Sequence, residues 1–213
     1  MPMAAANPFN GARYLLAAHT LEQLPPDGGF EVAFAGRSNA GKSSALNAMC
    51  QQNALARVSK TPGRTQQLVY FGVPPQEARY LVDLPGYGYA KVPEEMRAHW
   101  RMEIDAYLHQ RRSLRGLVLI VDIRHPLKEF DRTMLVFCRD TALPCHVLLT
   151  KADKLSRGAA NQALAALRKQ FDAEGLHASA QVFSSSAGTG VEEAREAVAA
   201  LLQNPRPELP SNS

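Results

Sequence analysis

The apolar run Val32-Ala33-Phe34-Ala35, the loop GRSNAGKSS over residues 36–44 and the helix-prone run Ala45-Leu46-Asn47-Ala48-Met49 follow one another without a break. A short all-apolar strand that runs into a glycine-containing loop and then a helix fits few folds. The strand needs a sheet covered on both faces, and the loop offers a ligand site at the helix start. Gly36, Gly41, Lys42 and Ser43 stand at the spacing G-x-x-x-x-G-K-S. At that spacing the glycines let successive N–H groups turn inward around phosphates, the helix adds its positive end, Lys42 reaches the outer phosphates, and the Ser43 hydroxyl can ligate Mg²⁺.

The remainder of the chain supplies the sheet. Residues 67–72, 79–82, 117–121, 145–149 and 181–183 read as further strands, giving six with 32–35. Most are nearly all-apolar. Between them Met96, Trp100, Ile104, Tyr107 and Leu108 keep one helical face, as do Leu164, Leu167 and Phe171, and Val191, Val198, Leu201 and Leu202. Strands alternating with helices predict an α/β fold with a mainly parallel six-stranded sheet and helices on both faces. Residues 31–203 form the expected domain. Residues 1–30, with an amphipathic stretch over 12–24 and the linker signal Pro25-Pro26-Asp27-Gly28-Gly29, read as an N-terminal extension packed on it, and the proline-containing residues 204–213 as a disordered tail.

Composition narrows the function classes. No run approaches the ~20 apolar residues that span a bilayer, and the first ten residues lack a basic segment followed by an apolar one, so a cytoplasmic protein without membrane contact is expected. Cys50, Cys138 and Cys145 are odd in number and lack paired spacing, which argues against a disulfide framework or a zinc site. Net charge is +4, yet residues 32–76 hold no Asp or Glu while Arg37, Lys42, Arg57, Lys60 and Arg64 all fall there. That window either offsets a nucleotide's phosphates or faces a polyanion such as RNA.

Three further motifs fill out a nucleotide site. Asp83-Leu84-Pro85-Gly86 closes the strand over 79–82, where a carboxylate can hold Mg²⁺ through water and the Gly86 N–H can approach a γ-phosphate. Thr150-Lys151-Ala152-Asp153 closes the strand over 145–149. An aspartate there accepts both the N1–H and the 2-amino hydrogens of guanine, which selects GTP over ATP, and the lysine stem covers the base. Ser184-Ser185-Ser186 follows the last strand, where a backbone N–H can meet the guanine oxygen.

Together with TPGRTQQL from Thr61, DLPGYGYA from Asp83, VDIRHPLKEFD from Val121 and TKADK from Thr150, these stretches resemble, in order and over about residues 9–202, the EngB family. EngB proteins, also called YihA or YsxC, are ribosome-associated bacterial GTPases of the TrmE-Era-EngA-EngB-septin-like group. The resemblance implies a Ras-like P-loop GTPase fold, slow hydrolysis of GTP, and a switch role in assembly of the large ribosomal subunit that is needed for normal division and septation. It implies that Gly36, Arg37, Ser38, Asn39, Ala40, Gly41, Lys42, Ser43 and Ser44 surround the phosphates, that Gly63, Arg64, Thr65, Gln66 and Gln67 lie over the nucleotide, and that Ser184 to Ser186 contact guanine. Mg²⁺ is then held by Ser43, Thr65 and, through water, Asp83. Catalysis rests on Lys42, Thr65, Gly86 and Asn39, in a monomer whose partners are GTP, GDP and the large ribosomal subunit. Asp122, Arg124, His125, Pro126 and Asp131 match a family signature and read as support for a turn.

Two residues stand out. Tyr87 occupies the place where a Ras-like enzyme has the glutamine that orients the attacking water, which implies hydrolysis dependent on another group or on a partner. Asn39 either ligates a potassium ion bridging the phosphates, supplying charge that an arginine supplies elsewhere, or only braces the loop. A second reading of the whole chain is a nucleotide-gated module for a protein partner with incidental hydrolysis. A third, an ATPase or small-molecule kinase, is disfavoured by Asp153.

Overall fold

The computed structural model describes residues 6–56, 67–87 and 94–205, with only the backbone described over 94–101. The elements run β1 (Arg13–Ala18), β2 (Phe30–Gly36), α1 (Lys42–Met49), β3 (Leu68–Gly72), β4 (Arg79–Asp83), α2 (Glu94–Gln110), β5 (Leu114–Asp122), α3 (Glu129–Asp140), β6 (Cys145–Thr150), α4 (Arg157–Glu174), β7 (Ala178–Val182) and α5 (Val191–Gln203).

One sheet takes the strands in the order β1-β3-β4-β2-β5-β6-β7. β2 pairs in parallel with β4 and β5, as does β6 with β5 and β7, whereas β3 runs antiparallel to β1 and β4. The expectation of six strands is therefore corrected to seven. The extra strand is the N-terminal stretch RYLLAA, whose backbone groups pair along the free edge of β3. Its amphipathic pattern alone does not distinguish an edge strand from a packed extension. The Pro-Gly segment after it is bolted down: the Asp27 carboxylate accepts the N–H groups of Arg112 (2.9 Å) and Ser113 (2.7 Å).

The apolar strands are buried on both faces with side chains alternating between them. Val32 and Phe34 of β2, Val118 and Ile120 of β5 and Leu148 of β6 face a core closed by Leu46 and Met49 of α1 and Val198 and Leu202 of α5. Ala33, Ala35, Leu117, Leu119, Val147 and Leu149 face the opposite core with Tyr107, Met134, Leu135, Leu167 and Phe171 of α2, α3 and α4. The periodicity around Leu167 and Val198 thus marks the buried faces of α4 and α5. α3 is a helix that periodicity did not single out, and it opens within the signature, with Asp131 in its first turn.

At the amino end of β2 a charged group lies inside the protein. Glu31 is fully buried and accepts from Tyr70 (3.0 Å), Tyr107 (2.9 Å) and Arg111 (2.6 and 2.9 Å). A buried carboxylate persists only when it is paired and hydrogen-bonded, and this one has four donors. The network fastens the carboxyl end of α2 to the sheet, at the end of β2 away from the glycine-containing loop.

Candidate functional site: a nucleotide cradle at the carboxyl ends of the parallel strands

The four loops singled out in the sequence follow β2, β4, β6 and β7, and strand direction brings their starts to one edge of the sheet. In open α/β sheets this edge is where ligands bind.

The first loop begins at Gly36. A side chain there would place Cβ 2.8 Å from the carbonyl oxygen of Ile120, so the position excludes larger residues. Asn39 is left-handed at φ 62°, as is Gly41 at φ 100°, and α1 opens at Lys42. Asparagine is among the few non-glycine residues that tolerate this conformation. The loop is gripped from β6: the Thr150 hydroxyl donates to the Ala40 carbonyl oxygen at 2.5 Å and lies 3.1 Å from that of Val121.

β4 delivers Asp83 to the same place. Its carboxylate is almost buried and pairs with the ammonium of Lys42. Leu84 N–H donates to Phe34 O, and Tyr87 pairs with the loop in a parallel bridge to Arg37. Gly86 is thereby held beside Ser38. The Tyr87 side chain turns towards α3: its hydroxyl donates to Asp131 Oδ1 at 2.6 Å and its ring lies 3.7 Å from that of Phe130. Burial, reinforced by the Asp131 charge, pushes the phenol well above its ordinary range. Asp131 also accepts the Lys128 N–H at 2.9 Å at the start of α3.

The loop after β6 carries Lys151, left-handed at φ 60°, and Asp153. Lys151 Nζ donates to the Asn39 carbonyl at 2.6 Å and lies 2.9 Å from Asp122 Oδ2. Asp122 in turn takes Arg124 Nε at 2.9 Å and Nη2 at 2.7 Å, and the Arg124 contact is the chief reason its carboxyl sits well below the usual range. The Ser184 hydroxyl donates to Asp153 Oδ1 at 2.6 Å, and this bond, followed by Lys154, holds that carboxyl down at about 2. Ala152 N–H donates to Phe183 O at 3.1 Å, joining the loops after β6 and β7. Ser185 and Ser186 are exposed in the same loop.

Of the predicted site residues, 36–44, 83–86, 150–153 and 184–186 converge. Gly63, Arg64, Thr65 and Gln66 lie outside the described residues, and Gln67 stands just before β3, its Nε2 2.7 Å from His19 Nε2. Three links were missed by sequence reasoning: the Thr150 hydroxyl as a clamp on the loop after β2, the Ser184 bond to Asp153, and Asp122 as the seat of Lys151. The signature Asp122 to Asp131 was legible as a pattern, but its partners stand far away in sequence.

Among the described residues no group of three or more His, Cys, Asp or Glu gathers to hold a metal. One carboxylate and a hydroxyl at a helix start nevertheless fit a hard cation that keeps several waters and a ligand's phosphate oxygens, as Mg²⁺ does. No helix among the described residues is long and apolar enough to cross a membrane.

A lysine-bearing loop at a helix start, an aspartate at the end of the adjacent strand and a second aspartate fixed by a serine on a neighbouring loop define a P-loop GTPase. The family model described as 50S ribosome-binding GTPase matches residues 31–151. The probable GTP-binding protein EngB of Xylella fastidiosa (strain 9a5c) is 61% identical over 189 residues, 88% of this chain and 92% of that protein. That of Stenotrophomonas maltophilia (strain K279a) is 61% identical over 192 residues, 90% and 95% of the two chains. A crystal structure of a probable GTP-binding protein EngB superposes with TM-score 0.64 at 20% identity, over 81% of this chain and 98% of that one. The GDP-bound G domain of a mutant S. thermophilus FeoB reaches TM-score 0.55 at 21% identity over 84% of this chain and 64% of that one, a likeness of fold alone. This chain belongs to the EngB family of GTP-binding proteins.

Proposed function

We propose that this GTPase is a nucleotide-controlled switch that binds the large ribosomal subunit during its assembly, hydrolyses GTP slowly and is needed for normal division and septation. The match of residues 31–151 to the family described as 50S ribosome-binding GTPase carries the reading. The acid-free stretch over 32–76 supports a partner rich in phosphate.

In this reading residues 36–44 hold the phosphates, Lys42 neutralises their charge, and the Gly86 N–H meets the γ-phosphate. Asp153, Lys151 and the loop 184–186 take the guanine. Thr65, with Gly63, Arg64, Gln66 and Gln67, closes over the nucleotide. Ser43, Thr65 and, through water, Asp83 would hold Mg²⁺, which would supply charge to neutralise the phosphates. Asn39 holds a potassium ion at the phosphates. The protein works as a cytoplasmic monomer, with residues 31–203 as its GTPase domain.

The test is co-sedimentation with purified ribosomal subunits in GTP analogue, GDP and no nucleotide, across a salt series. Salt-sensitive binding to the large subunit that depends on nucleotide is expected. Binding that ignores nucleotide, or no binding at low salt, overturns the ribosomal role and favours a protein-binding module.

A further inference from the structure

Two hydroxyls stand where the loop after β2 meets the segment after β4, and their surroundings differ. The phenol of Tyr87 is committed to Asp131 at 2.6 Å and its ring to Phe130. Its backbone is committed as well, with Ser38 N–H donating to Tyr87 O at 2.8 Å. The side chain at the water-orienting position is therefore drawn off towards α3. The hydroxyl of Ser38 is buried and has no hydrogen-bond partner among the described residues. It belongs to a residue packed on Gly86: a Cβ on Gly86 would stand 3.5 Å from Ser38 N and 3.6 Å from its Cα.

A buried hydroxyl without a partner costs stability, and an alanine of nearly the same shape avoids that cost. Such a group calls for an explanation, and its location gives one. Ser38 packs on the Gly86 peptide and belongs to the loop that runs into the helix start bearing Lys42, the two groups expected to flank a terminal phosphate.

We propose that the Ser38 hydroxyl is a further catalytic residue of GTP hydrolysis, donating a hydrogen bond to a γ-phosphoryl oxygen as charge develops there. Water oxygen bonds to the γ-phosphorus and the bond from that phosphorus to the bridging oxygen breaks. The bridging oxygen leaves with GDP, and the protons of water stay with inorganic phosphate. Ser38 transfers no proton. It supplies a fixed dipole at a site where neither glutamine nor the Tyr87 phenol does so. The proposal rests on residues 36–44 being the phosphate site.

The full chain is compared with Ser38→Ala, Ser38→Gly and Lys42→Ala, measuring GDP affinity, melting temperature and single-turnover GTP hydrolysis. Both Ser38 variants are expected to keep GDP affinity within about twofold, because GDP lacks the γ-phosphate, and to lose at least about tenfold in hydrolysis rate. Ser38→Ala should melt no lower than the parent. A parental rate in either Ser38 variant overturns the proposal: in both, the hydroxyl is idle, and in glycine alone, the alanine methyl is an obstruction. Ser38→Ala that loses melting temperature and GDP affinity together assigns the hydroxyl a structural role and overturns it too. Unchanged GDP affinity in Lys42→Ala is a separate failure, that of the phosphate-site reading itself.

Discussion

The ammonium of Lys151 donates to the backbone carbonyl of Asn39 across 2.6 Å, so a side chain from the loop after β6 fastens the loop after β2. The same ammonium rests on Asp122 at 2.9 Å, and Asp122 holds Arg124 through both carboxylate oxygens. The loop proposed to read the base and the loop proposed to hold the phosphates are thus joined directly.

Replacing Asp122 by asparagine removes the charge that seats Lys151 while keeping the shape. A hydrogen bond to a charged group contributes about 1.5–3 kcal/mol, so GDP should leave about tenfold faster or more. The same charge holds Lys151 and Arg124 in the folded protein, so the melting temperature should fall modestly, the exposed Arg124 pairing being screened. Stopped-flow displacement of a fluorescent GDP measures the rate. Guanine should remain preferred over xanthine, because Asp153 is untouched.

Asp153→Asn presents a donor where the 2-amino group of guanine needs an acceptor. GTP affinity should fall by on the order of 100-fold or more, and xanthosine nucleotides should gain. Ser184→Ala tests the support: it removes the bond that chiefly holds the Asp153 carboxyl at about 2, so GTP affinity should weaken with guanine still preferred. Competition binding with both nucleotide classes reads out the pair.

Lys42→Ala removes the charge at the helix start and should lower GDP and GTP affinity by on the order of 100-fold. It also leaves the nearly buried Asp83 carboxylate without its partner. The nucleotide-free protein should therefore melt earlier while circular dichroism stays native. Calorimetry with and without nucleotide separates the two effects.

Asn39→Gly is the informative test of potassium, because glycine keeps the left-handed backbone at φ 62° that alanine would strain. Parental hydrolysis is expected to run several-fold faster in potassium than in sodium, about tenfold at most. The glycine variant should show one rate in both salts with GDP binding retained. Equal rates for the parent protein in the two salts would leave Asn39 as a loop-shaping residue.

His146 should make stability depend on pH. Its ring lies 2.7 Å from Ser179 Oγ and 2.9 Å from Gln181 Oε1, and burial holds its pKa below the ordinary 6.5. Above that value the ring is neutral folded and unfolded, and stability is full. As pH falls from there through the lowered folded value, the unfolded chain takes up a proton that the folded one resists, and stability is lost over that window. Urea midpoints between about pH 7 and about pH 5 should fall for the parent and flatten in His146→Gln.

What was legible beforehand was local. The phosphate loop, DLPG, TKAD and the serine run are contiguous, and their chemistry depends on which residues follow a strand end. Nearly all-apolar strands between amphipathic helices likewise announce a sheet covered on both faces, whatever the order of its strands.

The sequence by itself therefore determined the α/β class, the loops that gather at one edge of the sheet and membership of the EngB family of GTP-binding proteins. Tertiary structure alone decided that Arg13–Ala18 completes the sheet as a seventh strand, because edge pairing is made by backbone groups that every residue carries. It also decided that Tyr87 belongs to Asp131, Ser184 to Asp153 and Lys151 to both Asn39 and Asp122. Those bonds join side chains distant along the chain, and a hydroxyl or ammonium can serve many acceptors. Only the packing of α3 and the neighbouring strand ends selects which acceptor comes within reach.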